Sequence, residues 1–263
     1  MEELPLIPDQ RRQKILRLLA RHEVLSVHQL TEMLGVSHMT VRRDIGELER
    51  EGSASVVPGG VRYARAVSSE PSFDAKSLID GPQKSAIAQG AAGLLHDGGV
   101  FYLDAGTTTA ALVPALRELH GVTVVTNDFS IVTSLVDDTG VEVVHVGGRL
   151  DHANRSSVGS LAGLILRQLA VDVAFVSASS WDLARGVTTP SHEKIDVKTA
   201  AMEVATSSVL LAASSKYGSY SMYRVAPLES FQTIVTDDAL PEIAAEGIRA
   251  AGVDLVLGNA AGE

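Results

Sequence analysis

Residues 26–52 have the sequence SVHQLTEMLGVSHMTVRRDIGELEREG, which contains two helix-initiation patterns separated by a glycine. Ser26 is followed three positions later by Gln29, and this spacing is typical of a capping box at a helix N-terminus. Gly35 follows the apolar residues of the first helix, at a position where glycine commonly ends a helix. Ser37 is a second N-cap candidate just beyond that glycine. The stretch therefore predicts two short helices joined by a tight turn.

The second of these helices is predicted to have an apolar inner face and a polar outer face. Val41, Ile45 and Leu48 recur at helical spacing and are expected to face inward. Two capped helices joined by a glycine turn form the helix-turn-helix pattern, whose second helix lies in the DNA major groove. Short polar side chains suit contact with base edges, and paired arginines suit contact with phosphates. Such groups occur on the outer face at Ser37, His38, Met39, Thr40, Arg42, Arg43 and Asp44.

The flanking segments complete a small domain. Residues 11–21 carry leucine and isoleucine at helical spacing, which predicts a preceding helix. Residues 53–63, SASVVPGGVRY, predict two short strands and a tight turn, a wing that brings Arg62 near the DNA backbone. We expect a winged helix-turn-helix over residues 1–64; a domain that contacts only proteins is the alternative. The DNA-binding candidates are Ser26, Ser37, His38, Met39, Thr40, Arg42, Arg43 and Arg62.

Charge divides the 263 residues into two unequal parts. Residues 1–66 contain ten Lys or Arg and nine Asp or Glu, whereas the remaining 197 residues contain twelve and 23. A near-neutral part beside a strongly acidic one suggests two functions on one chain. The small, polar, aperiodic stretch ARAVSSEP lies between them and ends at a proline. We therefore predict a linker over residues 65–74 and a second domain over residues 75–263.

The composition excludes several classes of protein. With 45% hydrophobic and 21% charged residues and a net charge of −10, the chain has the make-up of a globular protein. The absence of cysteine excludes disulfides and thiolate chemistry. The eight histidines form no HExxH motif and no close pair, and there is no Walker loop, so we expect no metal and no cofactor. No signal-peptide core and no apolar stretch of about 18 residues occurs, so we expect a cytoplasmic protein.

From Lys84 onward, short apolar runs alternate with segments of helical periodicity, such as Thr107–Leu119. Continuous apolar strands separated by helices indicate a parallel sheet with helices on both faces. The predicted fold class is α/β: an N-terminal winged helix-turn-helix followed by a larger, mainly parallel α/β sensor domain. The runs that predict strands are GGVFYLDAG, GVTVVTND, GVEVVHVGG, AVDVAFVSAS, SSVLLAASS and SFQTIVTDD.

One strand end has a composition suited to an anion. Ligands of open α/β sheets bind at the carboxyl ends of the strands. Asp104 and Gly106 directly follow the strand VFYL, and Thr107, Thr108 and Thr109 then open a helix. The hydroxyls and the free N–H groups of a helix start suit a phosphate or a carboxylate. The alternative is that the threonines serve only as helix caps.

Other polar residues follow neighbouring strands. Arg155, Lys198 and Lys216 stand out among them, because cations are scarce in this part of the chain. Their recurrence at strand ends predicts a pocket for a polyanion, and phosphate suits such donors. Trp181, the only tryptophan, is expected either to stack on a ligand or to close a hydrophobic edge.

Several motifs resemble those of one family. RRQKILRLLARHEVLSVHQLTEMLGVSHMTVRRDIGELEREG resembles the helix-turn-helix of DeoR-type bacterial transcriptional regulators. The resemblance continues, in family order, through FDAKS, YLDAGTTT, TVVTND, VGG, SSVG, EK…VK and SSK, over about residues 10–240. It implies a repressor of a carbohydrate-catabolism operon, bound to operator DNA as a dimer or tetramer and released by a phosphorylated sugar. The sensor domain is then similar to the fold of ribose-5-phosphate isomerases and glucosamine-6-phosphate deaminases.

The resemblance also implies roles for individual residues. Ala213 departs from the pattern, because members commonly have an aspartate before Ser-Ser-Lys, so a hydrogen bond is lost. The stretches NRSSVG and SASSWDLARGVTTPSHEK are similar to regulators of sugar-acid operons, and Arg155 would suit a second anionic group. The expected effector is thus a phosphorylated sugar or sugar acid. The implied effector-binding residues are Asp104, Gly106, Thr107, Thr108, Thr109, Asn127, Gly148, Asp182, Glu193, Lys198 and Lys216.

An enzyme is the competing interpretation. A sugar-phosphate isomerase or deaminase fused to a DNA-binding domain would use Asp104, Glu193 and Lys216 as acid–base groups. Similarity of fold is a weak guide to activity, so we expect a regulator without catalytic residues.

Overall fold

A computed structural model describes residues 6–22 and 24–259. The helices are α1 Pro8–Leu19, α2 Val27–Leu34, α3 His38–Arg50, α4 Phe73–Ser77, α5 Gly81–Ala92, α6 Thr107–Ala110, α7 Val113–Arg117, α8 Phe129–Leu135, α9 Ser160–Leu166, α10 Glu193–Glu203 and α11 Glu242–Ala250. The strands are β1 Ala54–Val57, β2 Gly60–Tyr63, β3 Arg65–Ala66, β4 Val100–Leu103, β5 Val122–Thr126, β6 Val141–His145, β7 Arg149–Asp151, β8 Ser156–Val158, β9 Val171–Ser177, β10 Ser180–Asp182, β11 Gly186–Thr189, β12 Ala205–Leu211, β13 Ser219–Tyr220, β14 Tyr223–Ala226, β15 Thr233–Asp237 and β16 Asp254–Gly258.

Helices α1 to α3 and the β1–β2 hairpin form the predicted winged helix-turn-helix. At the start of α2, the Gln29 N–H donates to Ser26 Oγ at 3.1 Å, and the Ser26 N–H donates to Gln29 Oε1 at 2.8 Å. Gly35 ends this helix in the left-handed conformation at a φ of 67°. Ser37 Oγ accepts the Thr40 N–H at 3.2 Å and starts α3. Both predicted caps therefore form as the spacing requires.

A small apolar core holds these helices together. Ile15, Leu30 and Ile45 are fully buried in it, one from each helix. Asp44, which we expected on the outer face of α3, is instead buried and pairs with Arg11 of α1, with a second contact at 2.9 Å. This ion pair joins α1 to α3. The outer face of α3 is thus held in a defined orientation by both packing and charge.

A seven-stranded sheet forms the centre of the larger part of the chain. All its neighbouring strands pair in parallel, in the order β16-β15-β12-β9-β4-β5-β6. One apolar layer packs α5, α7 and α8 on one face, and a second packs α9, α10 and α11 on the other. This architecture confirms the predicted fold class.

The segment Thr107–Leu119 differs from the single helix that the sequence suggests. It forms the two short helices α6 and α7, with Pro114 in the first turn of α7. Proline has no N–H to donate to the preceding turn, so a continuous helix would lose a hydrogen bond at this position.

The two parts of the chain are joined by backbone pairing as well as by the linker. Strand β3, directly after the wing, pairs in parallel with β13, and the Val67 N–H donates to the Tyr220 carbonyl at 2.7 Å. A three-stranded antiparallel sheet, β10-β11-β14, lies outside the main sheet. Within the described residues, no helix is both long enough and apolar enough to cross a membrane.

Candidate functional site

The outer face of α3 presents most of the residues predicted to contact DNA. His38, Met39 and Arg43 are exposed, Met39 to 72%. The hydroxyl groups of Ser26 and Ser37 are engaged as helix caps, and Ser37 Oγ also lies 2.9 Å from Thr40 Oγ1. The exposed side chains at the start of α3 are therefore the ones available to a partner.

Helix α11 of the sensor domain lies beside this face. A guanidinium nitrogen of Arg42 lies 3.3 Å from both carboxylate oxygens of Glu246. A groove of about 740 Å³ separates the two helices, and both Met39 and Arg43 line it together with Ile243. In this arrangement an acidic side chain of the sensor domain neutralises one of the two paired arginines.

Arg62 lies on a different side of the domain. It is opposite Ser55 in the β1–β2 register, so the two side chains share a face of the hairpin. Ser55 packs against Gly218 of the sensor domain, because a Cβ at Gly218 would lie 2.6 Å from Ser55 Cβ. The structure thus places Arg62 on the side of the wing that faces the sensor domain.

The five lysines of the sensor domain form one cluster, which we call the lysine cluster: Lys76, Lys84, Lys194, Lys198 and Lys216. They are all the lysines beyond Lys14. Each of them lowers the pKa of at least one other member, or has its own pKa lowered by one, through the repulsion between positive charges. Lys76 comes from α4, Lys84 from α5, and both Lys194 and Lys198 from the first two turns of α10. The helices around the strand ends therefore supply most of this positive charge.

Glu70, from the predicted linker, lies inside the lysine cluster. Lys76 Nζ donates to its carboxylate at 2.7 Å, the Ser179 hydroxyl donates at 3.2 Å, and Lys194 forms a second ion pair. Burial alone would raise the pKa of Glu70, but Lys194 and Lys76 hold that pKa well below its usual value. Glu70 is therefore ionised across the ordinary pH range.

Asp104 occupies the floor of the site. Its carboxylate accepts hydrogen bonds from the Ser177 N–H at 2.9 Å and the Ser177 hydroxyl at 2.7 Å, and it pairs with Lys198. Lys198 Nζ also donates to the Ser177 carbonyl at 2.7 Å. The neighbouring Asn127 accepts the Tyr102 hydroxyl at 2.9 Å. These residues form a buried hydrogen-bonded network that includes Lys198 of the lysine cluster.

The glycine–threonine loop is largely occupied by its own hydrogen bonds. The Gly106 N–H donates to Asp128 at 3.0 Å, and the Thr109 hydroxyl lies 2.6 Å from the Asp104 carbonyl. Thr108 is buried, whereas Thr107 lines an open depression of about 420 Å³ together with Lys84. None of the three threonines caps α6 with its side chain, because Gly106 is the N-cap residue and the Thr109 hydroxyl donates to carbonyl groups. Thr107 is the threonine that lines an open depression with a lysine.

Four predicted effector residues make their contacts with residues outside the lysine cluster. Glu193 pairs with Arg149 in a separate depression of about 270 Å³. Arg155 pairs with Asp74 at 2.7 Å and lies over the Phe73 ring. The other two are Asp182 and Gly148.

Asp182 lies at the boundary between the two domains. It accepts the Arg185 N–H at 2.5 Å, and the Arg185 guanidinium donates to the Gly52 carbonyl at 2.9 Å. Gly148 packs against β8 and α9, because a Cβ there would lie 2.9 Å from the Val158 carbonyl oxygen. These placements differ from the expectation because β7, β8, β10 and β11 belong to two smaller sheets and not to the main sheet.

Lys216 has the most strongly perturbed lysine side chain. Burial lowers its pKa to about 8, and the charges of Lys76, Lys84 and Lys198 act in the same direction. Its Nζ donates to the Ala178 carbonyl at 2.8 Å. The residue is therefore only partly protonated at slightly alkaline pH.

Tyr217, directly after Lys216, contacts the helix-turn-helix domain. Its hydroxyl donates to Glu49 of α3 at 3.0 Å, and its ring meets Trp181 edge-on at 4.8 Å. Trp181 is fully buried and donates its indole N–H to the Ala213 carbonyl at 3.2 Å, so it closes the core. The residue next to a lysine of the cluster thus touches the predicted recognition helix.

Sequence reasoning missed Glu70, Lys76, Lys84 and Lys194 as members of the site. The sequence did contain one signal for them. The five cluster positions hold all the lysines of residues 67–263, whereas arginine also occurs elsewhere in that part of the chain. Among the described residues, no group of three His, Cys, Asp or Glu is arranged to hold a metal ion.

Comparison with known proteins identifies the family. Residues 11–67 match a DeoR-like helix-turn-helix domain, and residues 80–238 match the DeoR C terminal sensor domain. The chain belongs to the DeoR family of transcriptional regulators. It is therefore a DNA-binding transcriptional regulator with a sensor domain for a small molecule.

Individual relatives of this DeoR-family regulator carry similar descriptions. It is 42% identical to an uncharacterized HTH-type transcriptional regulator of Haemophilus influenzae, over 97% of this chain and 99% of that protein. It is 30% identical to a putative aga operon transcriptional repressor of Escherichia coli O157:H7, over 94% of this chain and 93% of that protein. Among solved structures, ribose 5-phosphate isomerase A of Methanocaldococcus jannaschii aligns with 20% identity and a TM-score of 0.37, covering 51% of this chain and 53% of that one.

Proposed function

We propose that this regulator represses a carbohydrate or sugar-acid catabolic operon and is controlled by a phosphorylated sugar or sugar acid that binds at the lysine cluster. The main support is the convergence of all five sensor-domain lysines in a domain whose overall charge is acidic. Several ammonium groups around a buried site suit a ligand with two or more negative charges.

The predicted DNA contacts belong to the same proposal. His38, Met39, Thr40, Arg42 and Arg43 lie along the start of α3, where a helix-turn-helix reads the major groove. DNA affinity should depend steeply on salt, because arginines that neutralise phosphates release counterions. An even-numbered oligomer would match paired half-sites, and exposed Leu161 and Leu164 on α9 offer an apolar surface for it.

A regulatory rather than catalytic role is supported by the placement of the proposed acid–base groups. Glu193 is paired with Arg149 outside the lysine cluster, and Asp104 is occupied by Lys198 and Ser177. A general base must be within hydrogen-bonding reach of the proton that it removes. Turnover of pentose or hexose phosphates that depends on Glu193 would overturn this part of the proposal.

A thermal-shift screen of phosphorylated sugars and sugar acids tests the effector site. A ligand at 100 times its Kd stabilises the folded protein by about 2.7 kcal/mol. The Lys194→Gln variant should lose that stabilisation, whereas Lys14→Gln should retain it, because Lys14 is the only lysine outside the cluster. Equal stabilisation of both variants would refute the site.

Selection from random DNA followed by binding at fixed salt tests the other half of the proposal. We expect one enriched sequence, and the effector found in the screen should change the affinity of the full chain for it. Affinity that is independent of sequence at every salt concentration would refute operator binding.

A further inference from the structure

Glu70 occupies the position in which an anionic ligand would meet the lysine cluster. Its carboxylate contacts Lys76, Lys194 and the hydroxyl of Ser179, and its side chain is only 14% exposed. Three donors on one carboxylate form the kind of contact set that a bound phosphate or sugar acid would make. The group that makes these contacts belongs to the connection between the two domains.

The space that remains around Glu70 is too small for a ligand. The cavity lined by Glu70, Asp104, Lys194 and Lys198 has a volume of about 10 Å³. That is close to the minimum of about 10–15 Å³ that one water molecule needs. A phosphorylated compound therefore does not fit between Lys194 and Lys198 while Glu70 remains in place.

A second feature of this cavity indicates an incomplete set of contacts. Ser156 lines it and is fully buried, and its hydroxyl has no hydrogen-bond partner among residues 6–22 and 24–259. Buried polar groups in folded proteins usually have partners. A ligand larger than the Glu70 carboxylate would supply the missing hydrogen bond.

The linker connects Glu70 directly to the domain boundary. Three residues before it, the Val67 N–H donates to the Tyr220 carbonyl, and β3 pairs with β13 just ahead of that contact. Ser219 on β13 donates its hydroxyl to the Lys216 carbonyl at 2.6 Å. Glu70 is therefore only three residues from the backbone pairing between β3 and the sensor domain.

We infer that Glu70 is an internal ligand of the lysine cluster, and that a phosphorylated effector displaces it and so frees the linker between the two domains. This inference rests on the proposed effector site. The free energy needed to bring the lysines together does not oppose effector binding, because Glu70 already holds them in place. The apparent affinity of the effector equals its intrinsic affinity multiplied by the fraction of molecules in which Glu70 has left the lysines.

Competition between Glu70 and an added anion gives the first test. Inorganic phosphate and 6-phosphogluconate are titrated separately into the full-length protein, its Glu70→Gln variant and Glu203→Gln, a control whose carboxylate pairs with Arg167 away from the cluster. Loss of the competing charge should tighten anion binding, and an occupancy of about 90% by Glu70 corresponds to about a tenfold change. Tightening for both anions indicates phosphate recognition, and tightening for 6-phosphogluconate alone indicates that the sugar acid is needed.

Labelling of the linker gives a readout that affinity alone cannot. The chain has no cysteine, so Ser69→Cys introduces a single site for a fluorophore at an exposed position beside Glu70. We expect 6-phosphogluconate to lower the fluorescence anisotropy of the label. The label in a Glu70→Gln background should show the low anisotropy before any ligand is added.

The outcomes separate the inference from the proposed function. If the anions bind in a Lys194-dependent manner but Glu70→Gln leaves affinity and label anisotropy unchanged, the internal ligand is refuted and the effector site stands. If neither anion binds the wild type or Glu70→Gln, and the screen finds no other ligand, the proposed effector site and the inference both fail.

Discussion

Replacement of Glu49 by glutamine should change how the stability of the protein depends on pH. Glu49 is 2% exposed, and its Oε1 accepts the Val56 N–H and the Tyr217 hydroxyl, each at 3.0 Å. Its Oε2 is buried without a hydrogen-bond partner among the described residues. Burial raises the pKa of Glu49 from 4.5 to about 7, although both hydrogen bonds act to lower that pKa.

The sign of the effect follows from which state binds the proton. Between pH 4.5 and 7 the folded protein keeps a proton on Glu49 that the unfolded chain releases, so stability falls as the pH rises through this window. The pKa difference corresponds to about 3 kcal/mol of unfolding free energy at most. Glutamine keeps the oxygen that Val56 and Tyr217 need but does not ionise. Its advantage over Glu49 should therefore grow by about 3 kcal/mol between pH 4.5 and pH 8.

Urea denaturation followed by far-UV circular dichroism at four pH values measures this difference. Any constant cost of the new amide group cancels, because only the change with pH is compared. Glu51→Gln is the matched control, since Glu51 lies two positions further along and is exposed. If the curves of the wild type and Glu49→Gln run parallel from pH 4.5 to pH 8, the reasoning about Glu49 is wrong.

Three further predictions concern the recognition helix and the lysine cluster. Arg42→Ala should weaken operator binding by about 1–3 kcal/mol. Glu246→Gln should strengthen operator binding, because it frees Arg42 from its carboxylate partner. Fluorescence anisotropy with labelled operator measures both effects. Asp104→Asn should destabilise the fold by about 3–5 kcal/mol in urea denaturation, because it leaves the buried Lys198 without its counter-ion. Effector affinity measured by calorimetry should fall as the pH rises through 8, the pKa to which burial lowers Lys216, and Lys216→Arg should flatten that dependence.

Each of these predictions has a contradicting outcome. Equal operator affinities of Glu246→Gln and the wild type would show that the Arg42 contact does not compete with DNA. A double variant, Asp104→Asn with Lys198→Met, should recover part of the lost stability, and simple additivity of the two changes would contradict the ion-pair explanation. A pH profile that Lys216→Arg leaves unchanged would assign the titration to another group.

The helix-turn-helix could be predicted from sequence because its signals are local. Ser26, Gln29, Gly35 and Ser37 act within three or four residues of their own positions, and the structure forms each cap as expected. Six of the seven strands of the main sheet were equally visible as apolar runs, whereas β16 was not among the predicted strands. The order of the strands was not visible, since the pairing of strands distant in sequence depends on how the helices pack.

The candidate site was only partly predictable for a related reason. Lys198 was found through its place after a strand, and it does lie in the cluster. Lys76 and Lys84 were missed because they lie on α4 and α5, which precede the first strand of the main sheet rather than follow a strand. We expected Glu193 in the pocket, but it pairs with Arg149, whereas the adjacent Lys194 pairs with Glu70. Neighbouring residues of a helix point in different directions, so the spacing alone did not show which of the two faces the cluster.

The parallel pairing of β3 with β13 makes the connection between the two domains insensitive to side-chain identity. Its hydrogen bonds belong to the main chain, so most substitutions at residues 65–67 would leave it intact. Proline at Val67 is the exception, because it removes the N–H that the Tyr220 carbonyl accepts. The connector can therefore change in sequence over evolution while its main chain stays paired with the sensor domain.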